Sequence, residues 1–213
     1  MLTLYSYHRS SAAYRVRIAL NLKGLAFETI PVHLLQDGGA QHSAAYSAIN
    51  PSHLVPTLVD DDLALGQSMA IMEYLDEVYP SPALLPADAA GRAWVRALSQ
   101  QIACDIHPLN NLRVLQYLER VLAVDAAAQK TWYRHWVATG FVALERMLAA
   151  TTTDFCAGDI PGMADCCLVP QLANARRYKV PLDAYPQLCR IEAACLQLEA
   201  FQRAAPEQQP DAA

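Results

Sequence analysis

Hydrophobic and polar positions alternate along the first 80 residues in a way that predicts both strands and helices. LTLYSY has the β-rich composition of a strand, and the segment after it has apolar residues at helical spacing. A second strand, a short helix, two short strands around the turn at residues 60–62 and a longer third helix follow. The strand segments and the short helix are LTLYSY (2–7), LAFETIPVHL (25–34), AQHSAAYSAIN (40–50) and VPTLVDDDLALGQ (55–67). The predicted order is β-α-β-α-β-β-α.

This order joins a parallel βαβ unit to an antiparallel hairpin, which is the arrangement of thioredoxin-like domains. The segment YPSPALLPADAAG that follows is rich in proline and has no periodicity, so it is predicted to be a linker. Beyond it the sequence has only helical spacing, and its polar end, APEQQPDAA, is expected to be a loose tail. The predicted parts are a thioredoxin-like domain (1–80), a linker (81–91) and an all-helical domain (92–213).

Composition and charge limit the kinds of partner. The chain has 213 residues, 54% of them hydrophobic, and a formal net charge of -5, which argues against a nucleic-acid partner. No apolar run approaches the roughly 20 residues that span a bilayer, and the N-terminus lacks the pattern of a signal peptide. We therefore expect a cytoplasmic protein that binds neither nucleic acid nor membrane.

The cysteines give no sign of a metal site or a disulfide framework. All six lie beyond residue 103, and none forms a CxxC pair or a zinc-like spacing. Most lie on helical apolar patterns, where a free cysteine behaves as a small hydrophobe. They are predicted to be buried, reduced thiols.

Two hydroxyl groups and a guanidinium lie at the predicted start of the first helix, in YHRSSAAYRVRIAL (7–20). They belong to Arg9, Ser10 and Ser11. Free N–H groups and the helix dipole favour an anion at such a position, and the acidic chain suggests a small one. Arg15 and Arg17 lie further along this helix and are predicted to form surface or interdomain ion pairs.

Two later segments also suit an extended or anionic ligand. Pro56 stands at the start of a strand, where its neighbour Val55 can present unpaired backbone groups. Ser68 is predicted to be the N-cap of the third helix. Together with Gln67 it places polar groups where a carboxylate is favoured.

The sequence resembles the zeta-class glutathione transferases from Leu2 to about Phe201. The combination of segments is specific to this class, although VP and QS alone occur in most glutathione transferases. The segments are YSYHRSSAAYRVRIALNLKG, NPSHLVPTL, QSMAIMEYL, LLPAD, CDIHPLNNLRVLQYL and GDIPGMADCCLVPQLANARRYKV. The resemblance implies the cytosolic glutathione transferase fold, with an α/β thioredoxin-like N-terminal domain and an all-α C-terminal domain.

The resemblance also implies that glutathione is the cofactor. Gln67 and Ser68 would bind its γ-glutamyl carboxylate, and the backbone of Val55 would pair with its cysteinyl residue. Ser10 and Ser11 would be the catalytic residues beside its sulfur, and which of the two activates the thiol is left open. Other positions that match the glutathione site of the class are Gln41, His107, Asn111 and Arg113. Because His107 precedes Pro108, its ring either contacts the ligand or supports a helix kink.

The activity implied is glutathione-dependent cis–trans isomerisation of maleylacetoacetate to fumarylacetoacetate, in aromatic amino-acid catabolism. The substrate is a small dianion, for which Arg9, Arg113 and Arg177 are the candidate carboxylate ligands. Arg176 is the alternative to Arg177. The resemblance further implies a homodimer.

Other activities remain open at this point. Maleylpyruvate isomerase uses the same chemistry on a shorter diacid, and glutathione conjugation or dehalogenation uses the same thiolate. Ala12 stands where many members of the class have cysteine, so a protein thiol cannot act there. A non-catalytic binding domain is disfavoured by the presence of Ser10 and Ser11. A glutaredoxin-like reductase is disfavoured because no cysteine precedes Cys104.

Overall fold

The computed structural model describes residues 1–212, and its N-terminal part contains a four-stranded mixed sheet in the order β2-β1-β3-β4. Strands β1 and β2 are parallel, whereas β3 pairs antiparallel with both β1 and β4. The strands are β1 (Leu2–Ser6), β2 (Phe27–Pro31), β3 (Thr57–Asp60) and β4 (Leu63–Gly66). The βαβ unit and the hairpin predicted from the sequence are both present.

Nine α-helices occur in residues 1–212, two among the strands and seven after them. They are α1 (Ser11–Leu22), α2 (Ala44–Ile49), α3 (Ser68–Val78), α4 (Ala89–Gln100), α5 (Leu112–Arg120), α6 (Ala126–Met147), α7 (Met163–Arg177), α8 (Pro186–Cys195) and α9 (Glu199–Ala204). Between α4 and α5 the chain forms a π-helix (Gln101–Ile106) and a 3-10 turn (His107–Asn110). None of the helices in the described part is long and apolar enough to cross a membrane.

The chain divides into two compact units at boundaries that differ from the expected ones. The first unit contains Met1–Leu84 together with the chain from Leu196 onward, and the second contains Leu85–Cys195. From the sequence, the whole of 92–213 was predicted to belong to the helical domain. The C-terminal segment joins the first unit because its α9 packs on α1 and because Ala204 O accepts a hydrogen bond from Arg17 Nε at 2.9 Å.

The first unit has a continuous apolar core formed by the sheet with α1 and α3. Its fully buried side chains include Leu4, Leu20, Leu58 and Leu75. Next to this core, Lys23 Nζ donates to Asp76 Oδ1 and to the carbonyl oxygens of Tyr79 and Pro82, at 2.7 to 2.9 Å. This buried ammonium ties the end of α1 to the end of α3.

The second unit is helical, as predicted, and has a core of its own. Leu98, Val137, Phe141, Leu172 and Ile191 are almost completely buried in it. The expectation of buried thiols holds for four of the six cysteines, whereas Cys189 is half-buried and Cys104 is exposed. All six are free thiols.

Residues 205–212 of the polar tail make specific contacts, contrary to the expectation of a loose tail, and Ala213 lies outside the described residues. Residues Pro206–Gln208 form a 3-10 turn, and Asp211 lies against the other end of the chain. One carboxylate oxygen of Asp211 accepts from His8 N at 2.9 Å and lies 3.3 Å from His8 Nδ1. This contact could not be predicted from the sequence, because the two residues are 203 positions apart.

Candidate functional site

The turn between β1 and α1 fixes the position of the two candidate serines. Ser10 N donates to Tyr7 O at 2.9 Å, which closes a tight turn of residues 7–10, here called the serine turn, with exposed Arg9 at its third position. Ser10 is the N-cap of α1, and its Oγ accepts from Ala13 N at 3.2 Å. Since a lone pair of this hydroxyl caps the helix, its proton remains to be donated. Ser11 is the first residue of α1 and is buried.

Arg17 lies beneath this turn and is almost completely buried, with 1% of its surface exposed. Its Nη1 donates to Ser6 Oγ at 3.0 Å, and its Nη2 donates to His8 O at 3.2 Å. Burial lowers the pKa of Arg17 to about 10, so the guanidinium stays charged near neutral pH. The predicted surface or interdomain ion pair is therefore wrong for Arg17, whose hydrogen-bond partners are hydroxyl and carbonyl oxygens.

The start of α3 is built differently from the prediction. The N-cap is Gln67 and not Ser68, and the Gln67 side chain makes no capping hydrogen bond. Gln67 has φ +68°, a backbone conformation that costs free energy in a residue other than glycine and that clusters at functional sites. Ser68 is the first helical residue, and its Oγ accepts from Arg15 Nη1 at 3.2 Å. Arg15 is thus a buried link between α1 and α3, and the predicted surface position is wrong for it too.

Val55 precedes the paired part of β3. The β1–β3 ladder matches Tyr5 with Thr57, so Val55 lies two residues outside it, joined to Pro56 by a cis peptide bond. The Val55 side chain is buried with Tyr7, which begins the serine turn. The side chain is thereby fixed inward, and the candidate contact made by Val55 is through its backbone.

A polar network that the sequence analysis missed holds the segment around Val55. Tyr46 Oη donates to Leu54 O at 2.6 Å and lies 2.9 Å from Thr57 Oγ1. Asn50 Nδ2 reaches the same two oxygens at 2.9 and 2.8 Å. The network brackets Val55 and Pro56 from both sides. The one feature of the sequence that pointed to this network was Asn50 in NPSHLVPTL, because Asn before Pro is common in turns.

Gln41 is oriented inward. It is buried, its Nε2 donates to Leu34 O at 3.3 Å, and its amide folds over Gly39, where a Cβ would collide with it. The adjacent His53 ring lies 3.0 Å from Gln41 O through Nδ1. In this conformation Gln41 supports its loop, and the structure does not present its side chain to solvent as the predicted ligand contact requires.

In the second unit, His107 and Asn111 form one local pair. His107 follows the π-helix, and its Nε2 lies 3.3 Å from Asn111 Nδ2, which makes Nε2 the acceptor. Asn111 Oδ1 caps α5 by accepting from Arg113 N at 3.1 Å. The side chain of Arg113 is exposed.

The structure separates the two candidate arginines at the end of α7. Arg176 forms an ion pair with the buried carboxylate of Glu192, and the hydrogen bond to that carboxylate raises the pKa of Arg176. The guanidinium carbon of Arg177 lies 5.7 Å from the ring centroid of Tyr178, which stacks on Tyr133. Both arginines are exposed, but Arg176 is paired with Glu192, so Arg177 is the better placed of the two to bind an external carboxylate.

Two residues of α6 that the sequence analysis missed hold the segment that carries His107. Trp132 Nε1 donates to Leu109 O at 2.7 Å, inside the 3-10 turn. Gly140 packs directly against Ile106, the last residue of the π-helix. A small residue at Gly140 is what allows this close approach.

Comparisons with known proteins agree on the relatives of this chain. Residues 4–83 match the family model of the glutathione S-transferase N-terminal domain. Over 211 residues, the chain is 52% identical to a probable maleylacetoacetate isomerase of Vibrio cholerae serotype O1, covering 99% of this chain and 98% of that protein.

Two solved structures extend the comparison to the whole chain. A holo structure of maleylpyruvate isomerase, described as a bacterial zeta-class glutathione S-transferase, has a TM-score of 0.96 and 48% identity over 99% of this chain and 100% of that one. A maleylacetoacetate isomerase from Anaeromyxobacter dehalogenans, with dicarboxyethyl glutathione and citrate in its active site, has a TM-score of 0.88 and 44% identity over 100% of this chain and 98% of that one.

The contact between Gly140 and Ile106 can be tested by Gly140→Ala. The added methyl group would collide with Ile106 Cγ1 and Cδ1. Overpacking costs about 1–3 kcal/mol, of which better helix propensity offsets about 1 kcal/mol. We expect urea unfolding to give a net loss of up to about 2 kcal/mol. The double variant Gly140→Ala/Ile106→Ala should lose less than the sum of the two single variants, and additive losses would contradict the contact.

Proposed function

Because the chain belongs to the zeta class of the glutathione S-transferase family, we propose that it is a glutathione-dependent cis–trans isomerase that converts maleylacetoacetate to fumarylacetoacetate. The observation that carries this conclusion is the 52% identity to a probable maleylacetoacetate isomerase over nearly the full length of both chains. The chain is an enzyme of this type, and glutathione is its cofactor. The A. dehalogenans relative has dicarboxyethyl glutathione bound in its active site, and the dicarboxyethyl group of that molecule adds two carboxylates to those of glutathione.

The residues of the first unit fit glutathione. The start of α3 has no side-chain cap, which suits the γ-glutamyl carboxylate at Gln67 and Ser68. The backbone of Val55 lies outside the β1–β3 ladder and suits pairing with an extended peptide. When bound, glutathione supplies a thiolate that adds reversibly to the conjugated double bond, so that the bond can rotate. We assign the role of binding it to Gln67, Ser68 and Val55.

Ser10 is the residue we propose to stabilise the thiolate. Its Oγ already accepts the hydrogen bond from Ala13 N, which leaves its proton as the group offered to an external anion. The N-terminus of α1 adds its partial positive charge at the same place. Ser11, buried in the first turn, contributes mainly to the shape of this turn.

Three exposed arginines are proposed to bind the substrate carboxylates. Arg9 belongs to the serine turn, and Arg113 and Arg177 belong to the second unit. Arg is suited to the task because its guanidinium binds a carboxylate with two parallel hydrogen bonds. The assignment follows the class resemblance and is supported by the ion pair that commits Arg176 to Glu192.

His107 and Asn111 are proposed to act as one polar group toward glutathione. Asn111 Nδ2 donates to His107 Nε2, and Asn111 Oδ1 is committed to the cap of α5. The pair therefore fixes which ring nitrogen of His107 accepts and which can donate. We propose that Gln41 acts toward the glycyl end of glutathione through its loop, because its buried side chain supports the loop backbone.

A second candidate substrate is maleylpyruvate, the shorter diacid. The observation that favours it is the TM-score of 0.96 to a maleylpyruvate isomerase at 48% identity. Conjugation or dehalogenation by the same thiolate is compatible with either substrate as a side activity.

We also propose a homodimer that works in the cytoplasm, where glutathione is abundant and the six free thiols stay reduced.

Isomerisation with a catalytic amount of glutathione tests the proposed function. Maleylacetoacetate should be turned over many times for each glutathione molecule present, and kcat/KM for maleylacetoacetate should exceed that for maleylpyruvate. A higher kcat/KM for maleylpyruvate would establish the second candidate instead. No turnover of either diacid, with stoichiometric consumption of glutathione on other electrophiles, would contradict isomerisation.

The role of Ser10 predicts a change in the ionisation of bound glutathione. Ser10→Ala should raise the pKa of the bound thiol by about 1–2, since a hydrogen bond to a charged group contributes about 1.5–3 kcal/mol. Ser10→Thr keeps the hydroxyl and serves as the matched control. Ultraviolet absorbance of the thiolate against pH measures the effect. A shift in Ser11→Ala that Ser10→Ala does not show would assign the role to Ser11.

The role of the arginines predicts selectivity for charged substrates. Arg9→Met and Arg177→Met should each lower kcat/KM for a diacid by roughly tenfold to a hundredfold, because each removes a charge-assisted contact. An uncharged chloro-nitrobenzene should be conjugated at nearly the unchanged rate. Arg146→Met, at the exposed end of α6, is the control for loss of a positive charge. Equal losses on charged and uncharged electrophiles would show that the two arginines support the fold.

A further inference from the structure

The C-terminal segment reaches the turn that carries Ser10. Residues 205–211, here called the tail, follow α9 and belong to the first unit. Asp211 Oδ2 accepts from His8 N at 2.9 Å and lies 3.3 Å from His8 Nδ1. Both side chains are nearly buried, with about a tenth of each exposed. His8 is the second residue of the turn that Ser10 closes, so the tail bonds to the serine turn itself.

Three hydrogen bonds hold the backbone of the serine turn. Tyr7 O accepts from Ser10 N within the turn, and His8 O accepts from Arg17 Nη2 at 3.2 Å beneath it. Asp211 supplies the third contact by accepting from His8 N at 2.9 Å. With both polar groups of the His8 backbone engaged, neither His8 peptide group can rotate without losing a hydrogen bond.

Arg17 makes the second connection between the turn and the C-terminal segment. It donates through Nε to Ala204 O at 2.9 Å, at the end of α9, and through Nη1 and Nη2 to Ser6 Oγ and His8 O. The negative charge of Asp211 attracts this guanidinium and opposes the fall in its pKa that burial causes. Asp211 thus stabilises a buried cation as well as a backbone donor.

We propose that Asp211 is a positioning residue for the thiol site, acting through His8 on the turn that places the Ser10 hydroxyl. The inference rests on the proposed function of Ser10 as the thiolate donor. A displacement of a donor by about 1 Å can reduce turnover a hundredfold, so a contact two residues from Ser10 is close enough to matter. Because a hydrogen bond joins Asp211 to the serine turn, the C-terminal tail is a structural part of this site.

Amide hydrogen exchange of the ligand-free protein tests the contact without any assay of activity. The His8 amide of the wild-type protein should exchange slowly, and Asp211→Ala should accelerate it by at least tenfold. Asp211→Asn keeps a carbonyl oxygen that can accept from His8 N, so its exchange should stay close to that of the wild type. A His8 amide that exchanges as fast in the wild type as that of exposed Arg9 would overturn the proposal, whether or not Asp211→Ala folds.

The effect on the site is measured on the complex with glutathione. Asp211→Ala should raise the pKa of the bound thiol and lower kcat by roughly tenfold, while KM for glutathione changes much less. Glu207→Gln removes the same charge from an exposed position of the same tail, from which Glu207 also attracts Arg17, but it leaves the hydrogen bond between Asp211 and His8 N in place and should behave as the wild type.

Two results would contradict positioning through the hydrogen bond. One is an unchanged thiol pKa and kcat in Asp211→Ala. The other is an equal loss in Asp211→Asn, Asp211→Ala and Glu207→Gln, which would assign the effect to charge alone. Failure of the proposed function is distinguishable, because a wild-type protein that does not isomerise either diacid would still show the exchange behaviour of His8.

Discussion

The buried guanidinium of Arg17 is the contact on which the candidate site of the first unit depends. A charge is expensive to bury unless hydrogen bonds replace its water, and Arg17 obtains them from Ser6, His8 and Ala204. These oxygens come from the end of β1, the serine turn and the end of α9. One cation therefore fixes the relative position of three segments of the chain. The position of the serine turn depends on the hydrogen bonds that Arg17 makes to all three.

The other proposed ligand-binding positions of the first unit are linked to the same helix. Arg15, two residues before Arg17, donates to Ser68 at the start of α3, and the side chain of Val55 packs with Tyr7. Through these contacts α1 links the proposed thiolate donor, the proposed carboxylate end and the backbone edge. A tripeptide with a carboxylate at one end and a thiol in its middle needs this kind of fixed spacing.

Local signals were sufficient to predict much of the fold from the sequence. The alternation of strand-like and helix-like segments gave the correct order of elements, and Ser10 was placed at the start of the first helix because small polar residues precede its apolar pattern. The proposed site residues Val55, Gln67 and Ser68 were predicted because proline and helix starts restrict the backbone locally. The proposed roles of Arg113 and Arg177 came from resemblance, since nothing in their local sequence distinguishes them from other exposed arginines.

Contacts between residues distant in sequence account for what could not be predicted. Arg17 was expected at the surface because an arginine inside an amphipathic helix usually lies there, and its partner Ala204 is 187 residues away. The tail was expected to be loose because it is polar and terminal. Instead, Asp211 accepts a hydrogen bond from His8 N, 203 positions away in the sequence. In the second unit, the contacts of Gly140 and Trp132 could not be predicted from the sequence. Each residue contacts a segment that is distant along the chain, and the residues around it do not indicate its partner.

The central claim is that the first unit builds a site that keeps a thiol ionised, and titration of glutathione bound to the wild-type protein tests it most directly. A thiolate held at a helix N-terminus by a hydroxyl donor should have a pKa below about 7.5, against about 8.5 for a free thiol. Thiolate absorbance that rises with a midpoint below about 7.5 would agree with this claim. A bound thiol that titrates at the value of free glutathione would contradict it.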